Sequence, residues 1–121
     1  MFKAIGLGKR KKGMSFEDFV EYYKTRHSKL GERVMKRVGA VRYARRFIRP
    51  VPNPYTGELP ESDFDVIIEF WFKDEAGFKE CFEIVTGELR EEFERDEENL
   101  FDREGSRMTI EYELDESDLS Q

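Results

Sequence analysis

The residue of this sequence best suited to proton chemistry is His27. It is the only histidine among the 121 residues, and imidazole is the side chain that gains or loses a proton near neutral pH. Tyr23 lies four residues earlier, so the phenol and the imidazole can meet if the segment is helical. Two interpretations of His27 stay open: a general acid or base, or a core histidine bonded to a backbone carbonyl or a tyrosine hydroxyl.

Several aromatic residues are predicted to surround this histidine. Tyr43 and Tyr112 lie at strand positions that can face the helix, and phenols donate hydrogen bonds to a developing enolate or phenolate oxygen. Simple packing is the alternative role for each tyrosine. The predicted substrate-binding residues are Tyr23, Tyr43, Phe70, Phe72 and Tyr112.

The residue types present give little support for a metal site, a reactive thiol or a nucleotide site. One histidine and one cysteine fall short of the three or four ligands that zinc or iron prefers, so neither a metal nor another cofactor is expected. Cys81 is expected to be a small core residue. Gly6-x-Gly8 lacks the third glycine of a dinucleotide motif, so no nucleotide site is predicted.

The segment around His27 has the period of an amphipathic helix. Ser15 is suited to cap its first turn, and Gly39 is suited to end it. The pattern therefore predicts one helix in which His27 faces the interior. The residues of the apolar stripe are Phe16, Phe19, Val20, Tyr23, His27, Leu30 and Val34.

The remaining segments alternate in a recognisable order. Seven acids lie between Glu88 and Glu98, which indicates a short surface helix, and all four prolines lie in a loop at 50–60. The order strand, helix, two strands, helix, strand predicts a ferredoxin-like βαββαβ fold of the α+β class, with a four-stranded antiparallel sheet and both helices on one face. The predicted strands cover 2–8, 40–50, 64–73 and 107–114, and the predicted helices cover 15–39 and 74–87.

The second face of that sheet is expected to bind another copy of the chain. Ile67 and Trp71 alternate with the phenylalanines of the third strand, and they are too apolar for open water. A homodimer whose two sheets pack as a barrel would cover them. Glu69 shares this face, so we expect it to form an ion pair with an arginine of the second strand rather than a dyad with His27.

Length and charge limit the remaining possibilities. The chain fits a single domain at 1–115 with an acidic, frayed tail at 116–121. Its net charge of −6 argues against a nucleic-acid partner. The basic run Lys9 to Lys12 is expected to be a solvated loop or to steer an anionic ligand. No apolar run approaches the roughly 20 residues of a membrane span, and the amino end lacks a signal-peptide pattern, so a cytoplasmic protein is expected.

Four segments of the chain, in the same order along the sequence, match the motifs of a known protein family. On these segments the chain resembles the EthD family, a branch of the dimeric α/β-barrel superfamily. It departs from many members at Lys29, where they have proline, and at Arg46-Phe47, where they have a second histidine. The matching segments are Phe19-x-x-Tyr22-Tyr23-x-x-x-His27-x-x-Leu30, Val41-Arg-Tyr43, Glu69-Phe-Trp71-Phe72 with Phe78 after it, and Asp96-Glu97-x-x-Leu100-Phe101-Asp102.

The resemblance implies a class of substrate more than a reaction. Relatives of the family are similar to dehydratases and cyclases of aromatic polyketides, and the wider superfamily includes cofactor-free monooxygenases, isomerases and haem-degrading proteins. The expected function is a small cofactor-free enzyme that acts on an aromatic or enolisable hydrophobic metabolite, with His27 as catalytic acid or base. A cofactor-independent oxygenase and a non-catalytic module that binds a hydrophobic ligand are the alternatives.

Overall fold

Four antiparallel strands form one sheet in the computed structural model, which describes residues 1–120. The sheet order is β2-β3-β1-β4, and every neighbouring pair is antiparallel. This order and the helices on one face confirm the predicted ferredoxin-like α+β fold. The strands are β1 (Phe2–Gly8), β2 (Arg42–Phe47), β3 (Val66–Phe72) and β4 (Arg107–Ile110).

The helices begin where the sequence predicts. The side chain of Ser15 accepts a hydrogen bond from the backbone N–H of Asp18 at 3.1 Å, and Asp74 accepts one from Gly77 at 3.0 Å. Both are caps of the expected kind. The helical segments are α1 (Phe16–Tyr22), a π turn (Tyr23–His27), α2 (Ser28–Arg37), α3 (Glu75–Thr86) and α4 (Arg90–Glu98).

The core lies between the helices and one face of the sheet. Phe19 and Tyr23 pack against the inner face of β3 together with Leu100, which follows α4. A second cluster joins α2, α3 and α4 around Val34 and Phe93. The helices are thus held to one side of the sheet, and the space between them determines where a ligand can enter.

Two elements differ in detail from the prediction. The last strand ends at Ile110, so Tyr112 lies beyond the ladder although the alternation of residue types continues. In α3 the helical spacing predicts that Phe82 faces inward with Phe78 and Val85, but Phe82 is 45% exposed and the buried residue is Ile84, which is 7% exposed. Residues 111–120 form neither helix nor strand, and the last residue of the predicted tail, Gln121, lies outside the described residues.

The basic run after β1 is tied to the segment after α4. The backbone N–H of Lys11 donates to the carbonyl of Leu100 at 2.8 Å, and that of Asp102 donates to Lys9 at 2.9 Å. Arg10 donates its backbone N–H to the buried carboxyl of Asp65 at 2.9 Å. These bonds hold the segment around Phe101 beside the sheet.

The outer face of the sheet carries an ion-pair network. Glu69 pairs with Arg42 at 2.9 Å and with Arg46 at 3.6 Å, so the expected partner on the second strand is present within the chain. The hydrogen bond from Arg42 lowers the pKa of Glu69. Trp71 lies beside this network, with the ammonium of Lys3 4.3 Å from the centre of its ring. Among residues 1–120 no helix is long and apolar enough to cross a membrane.

Candidate active site

A π turn determines on which side of the helix the His27 side chain lies. On an α-helix, residues five apart point about 140° away from each other. Here the backbone N–H of Ser28 donates to the carbonyl of Tyr23, five residues back, which widens the turn. Tyr22 and His27 therefore lie on the same side of the helix, and both bind the same side chain of α4.

That side chain is Asp96. The Nδ1 atom of His27 lies 2.5 Å from Asp96 Oδ2, and the hydroxyl of Tyr22 donates to Asp96 Oδ1 at 2.7 Å. Asn99 adds a longer bond, 3.4 Å, from its side-chain nitrogen to the Tyr22 hydroxyl. Both oxygens of the carboxylate are thus occupied, and the orientation of the imidazole is set through Nδ1.

Opposing effects act on the pKa of Asp96. Burial raises the pKa, while the hydrogen bonds from His27 and Tyr22 lower it, and the net pKa lies below the ordinary value for aspartate. A carboxyl with a lowered pKa remains an anion at neutral pH and is able to accept a hydrogen bond from Nδ1–H. In a neutral imidazole with its proton on Nδ1, the other ring nitrogen, Nε2, carries the lone pair.

The imidazole lines a cavity of about 470 Å³ between the helices and the sheet. This volume lies within the range of sites for small organic ligands. His27 is 7% exposed. Within residues 1–120, every fully buried side-chain nitrogen or oxygen atom has a hydrogen-bond partner. Within these residues Nε2 has no hydrogen-bond partner, so this atom is not fully buried, and His27 is one of the residues that line the cavity. The apolar lining includes Val34, Met35, Ile68, Phe70, Val85, Phe93, Phe101 and Met108.

Two tyrosines bring hydroxyl groups to the same cavity. The ring of Tyr23 lies edge-on to His27, with 4.8 Å between ring centres. Tyr43 approaches α2 closely at Gly31, where a Cβ atom would lie 2.8 Å from Tyr43 Cζ. Burial raises the pKa of Tyr43 to about 12 and that of Tyr23 well above its ordinary value. Both phenols therefore stay protonated and are able to donate hydrogen bonds.

The cavity contains four of the six residues that the sequence assigns to the site. His27, Tyr23, Tyr43 and Phe70 line it. Phe72 is buried against Ala4 and Met35 and is not one of the lining residues. Tyr112 lies beyond the end of the ladder between β1 and β4 and is 98% exposed, so the structure does not bring it to this cavity.

Asp96 and Glu97 line or support the site but are not among its predicted residues, because the acidic segment 88–98 has the composition of a surface helix. Leu89, Phe93 and Leu100 form an apolar row whose steps of four and seven leave a gap at Asp96 and Glu97. Helical spacing puts both acids on the side of Phe93, which faces the core. That spacing is the signal that could have identified them.

Cys81 also borders the cavity, and burial raises the pKa of its thiol to about 11. The thiol is therefore protonated at neutral pH and a poor nucleophile. Among residues 1–120, no three histidine, cysteine, aspartate or glutamate side chains are grouped as metal ligands.

Comparison with protein families finds that the EthD domain matches residues 11–104. The match covers the π turn, α4 and all cavity residues of β2 and β3. The chain belongs to the EthD family. A comparison with curated proteins finds no match.

Proposed function

We propose that the protein is a cofactor-free enzyme that performs general acid/base catalysis on an aromatic or enolisable hydrophobic metabolite, as a dehydratase, cyclase or isomerase does. The observation that supports this most strongly is the pairing of His27 with Asp96 through Nδ1, in a histidine that lines a mostly apolar cavity and whose Nε2 has no protein partner among residues 1–120. A non-catalytic binding module has no need of an ionised carboxylate behind an imidazole. An imidazole oriented by a carboxylate is a common arrangement for a general base.

The proposed reaction begins with proton abstraction next to a carbonyl group. Nε2 of His27 takes the proton, and the electron pair of the C–H bond moves into the carbonyl to form an enolate. Asp96 stabilises the resulting imidazolium through its bond with Nδ1–H. The hydroxyls of Tyr23 and Tyr43 donate hydrogen bonds to the enolate oxygen. Return of the proton to another atom isomerises the substrate, and loss of a neighbouring hydroxyl as water dehydrates it.

The test is the exchange of α protons for deuterium in 2-tetralone, a two-ring ketone that enolises. Exchange in D2O is followed by proton NMR, with the wild-type protein and with His27→Gln. Acid/base groups contribute about 100-fold or more, so the variant is expected to lose at least that factor in rate. Lys29→Gln is the matched control, because Lys29 is exposed on the same helix and is expected to keep the wild-type rate. Equal rates for wild type and His27→Gln would contradict the proposal.

We also propose that two copies associate through the outer face of the sheet. Ile67, Glu69 and Trp71 lie on this face, away from all four helices. Cations of β2 and the carboxylate of Glu69 give the face both signs of charge, which suits contact with an identical face. The cavity lies on the opposite side of the sheet, so each copy would hold a complete site.

A further inference from the structure

Glu97 differs from every other acid of α4. The other five acids of this helix each have a side-chain partner: Glu91 with Arg95, Glu92 with Arg33, Glu94 with Arg90, Asp96 with His27, and Glu98 with Arg103. Within residues 1–120, the carboxyl of Glu97 has neither a hydrogen bond nor an ion pair. It is only partly exposed, and the residue lines the same cavity as His27.

Neighbouring charges act on the pKa of this carboxyl in both directions. Burial raises the pKa of Glu97, and the charges of Asp96 and Glu94 act in the same direction, while His27 and Arg103 oppose them. The charge of Glu97 in turn raises the pKa of Tyr23. Glu97 lines one cavity with His27 and Tyr23, and a half-buried, unpaired carboxyl with a raised pKa exchanges protons more readily near neutral pH than an exposed one.

We propose that Glu97 is a second proton-transfer residue of the cavity, which acts on the substrate together with His27. This inference rests on the proposed function. A dehydration needs a proton removed from carbon and a proton delivered to the leaving oxygen. His27 would take the α proton, and the carboxylic acid of Glu97 would protonate the β-hydroxyl as its C–O bond breaks and water leaves. Transfer of one proton from the imidazolium to the carboxylate then restores both groups.

A probe of known chemistry tests this role without knowledge of the natural substrate. In 5-nitrobenzisoxazole, removal of one C–H proton by a base breaks the N–O bond and yields a nitrile and a coloured phenolate, with no other reactant. The probe is small and apolar, and desolvated carboxylates and imidazoles are both able to act as the base. Initial rates are measured from pH 4 to 9 for wild type, His27→Gln, Glu97→Gln and the double variant.

The expected result is two separate bases. His27→Gln is expected to keep a rate at least about tenfold above the double variant, and that rate rises with pH through a single ionisation above the ordinary range of glutamate. Glu97→Gln is expected to lose this step and to keep the part of the rate that depends on His27. Glu97→Asp, which withdraws the carboxyl by one methylene group, is expected to keep the pH dependence at a lower rate. Glu91→Gln is the control, because Glu91 lies on the exposed side of α4 and is expected to match wild type.

Two outcomes separate the inference from the function on which it rests. Equal rates for His27→Gln and the double variant, with both chains folded by circular dichroism, would overturn the role of Glu97 alone. A rate for His27→Gln that equals wild type, with Glu97→Gln at the level of the double variant, would support Glu97 and contradict His27 as a base. A wild-type rate no higher than that of buffer would overturn both.

Discussion

Asp96 receives two hydrogen bonds that serve different purposes. The bond with His27 orients the imidazole, while the bond from Tyr22 holds the second carboxylate oxygen and so keeps the carboxylate from turning. In the proposed reaction Tyr22 would be a positioning residue that acts through Asp96 and not on the substrate. A base held in one orientation loses less conformational freedom on reaching the transition state than a mobile one.

The lowered pKa of Asp96 has a consequence for stability. Because the pKa in the folded chain lies below the ordinary value of 3.8, the ionised carboxylate stabilises the fold above that value. This contribution is lost as the pH falls through the folded-state pKa. The free energy of unfolding of Asp96→Asn is therefore expected to be about 1.5 to 3 kcal/mol lower than that of wild type at pH 7, with a difference that shrinks below pH 4.

Urea unfolding at a series of pH values measures this difference. Glu91→Gln serves as the control, because an exposed ion pair contributes little and is expected to give only a small, flat difference. A difference for Asp96→Asn that grows toward acid pH would contradict the assignment.

At this scale the sequence predicted His27 but not its partner. A single histidine on an apolar stripe has few alternatives, so its inward position follows from helical periodicity. Asp96 lies among seven acids of a segment that resembles a solvated surface. Residue type alone does not distinguish Asp96 and Glu97, which face inward, from the exposed acids. The position of Phe93 three and four residues earlier indicates them, and so does the family-like segment that begins at Asp96.

At the scale of elements, the cavity depends on close contact between α2 and β2. The ring of Tyr43 rises from β2 and reaches the backbone of α2 at Gly31, which has no side chain to exclude it. In this position Tyr43 lines the same cavity as His27, which lies one helical turn before Gly31. A larger residue at this point would move either the helix or the phenol.

Gly31→Ala is expected to lower stability by about 1 to 3 kcal/mol, because the added methyl group overlaps the Tyr43 ring. The matched control is Gly77→Ala in α3, where a Cβ atom would meet its neighbours at 3.5 Å, an ordinary contact distance. Alanine there is expected to keep or raise stability by up to about 1 kcal/mol. Thermal unfolding of both variants is the measurement. If Gly31→Ala were as stable as the control, the contact would not constrain the cavity.

The helices and strands were predictable from the sequence, whereas the π turn within the first helix and the end of the last strand were not. Ser15 and Asp74 are strong helix-capping signals, and both begin helices in the structure. The π turn at Tyr23–His27 contains neither glycine nor proline, and the apolar spacing around it is compatible with an unbroken α-helix. The end of β4 was also invisible in the sequence, since alternation does not reveal where the partner strand stops.

At the scale of the whole molecule, the sheet separates the cavity from the surface proposed for self-association. Its inner face holds the cavity, and its outer face holds a mixture of apolar and charged residues that suits self-association. The ferredoxin-like topology was predictable because the order of elements allows few arrangements. The assembly of two copies stays a prediction.

Self-association through the outer face is testable by mass. Sedimentation of wild type at micromolar concentration is expected to give about twice the chain mass of 14.4 kDa. Ile67→Glu is expected to shift the mass toward one chain, because it adds charge to the middle of the proposed contact. Val51→Glu, in the exposed proline-rich loop, is the control and is expected to leave the mass unchanged. A wild-type mass of one chain would contradict the dimer.

The central claim is that His27, oriented by Asp96, removes a proton from a ligand in the cavity. The most direct test is the dependence of α-proton exchange on 2-tetralone concentration for wild type and His27→Gln, which separates kcat from KM. The prediction is a fall in kcat of about 100-fold or more, with KM nearly unchanged because the apolar walls remain. A kcat for His27→Gln within about threefold of wild type would contradict the claim.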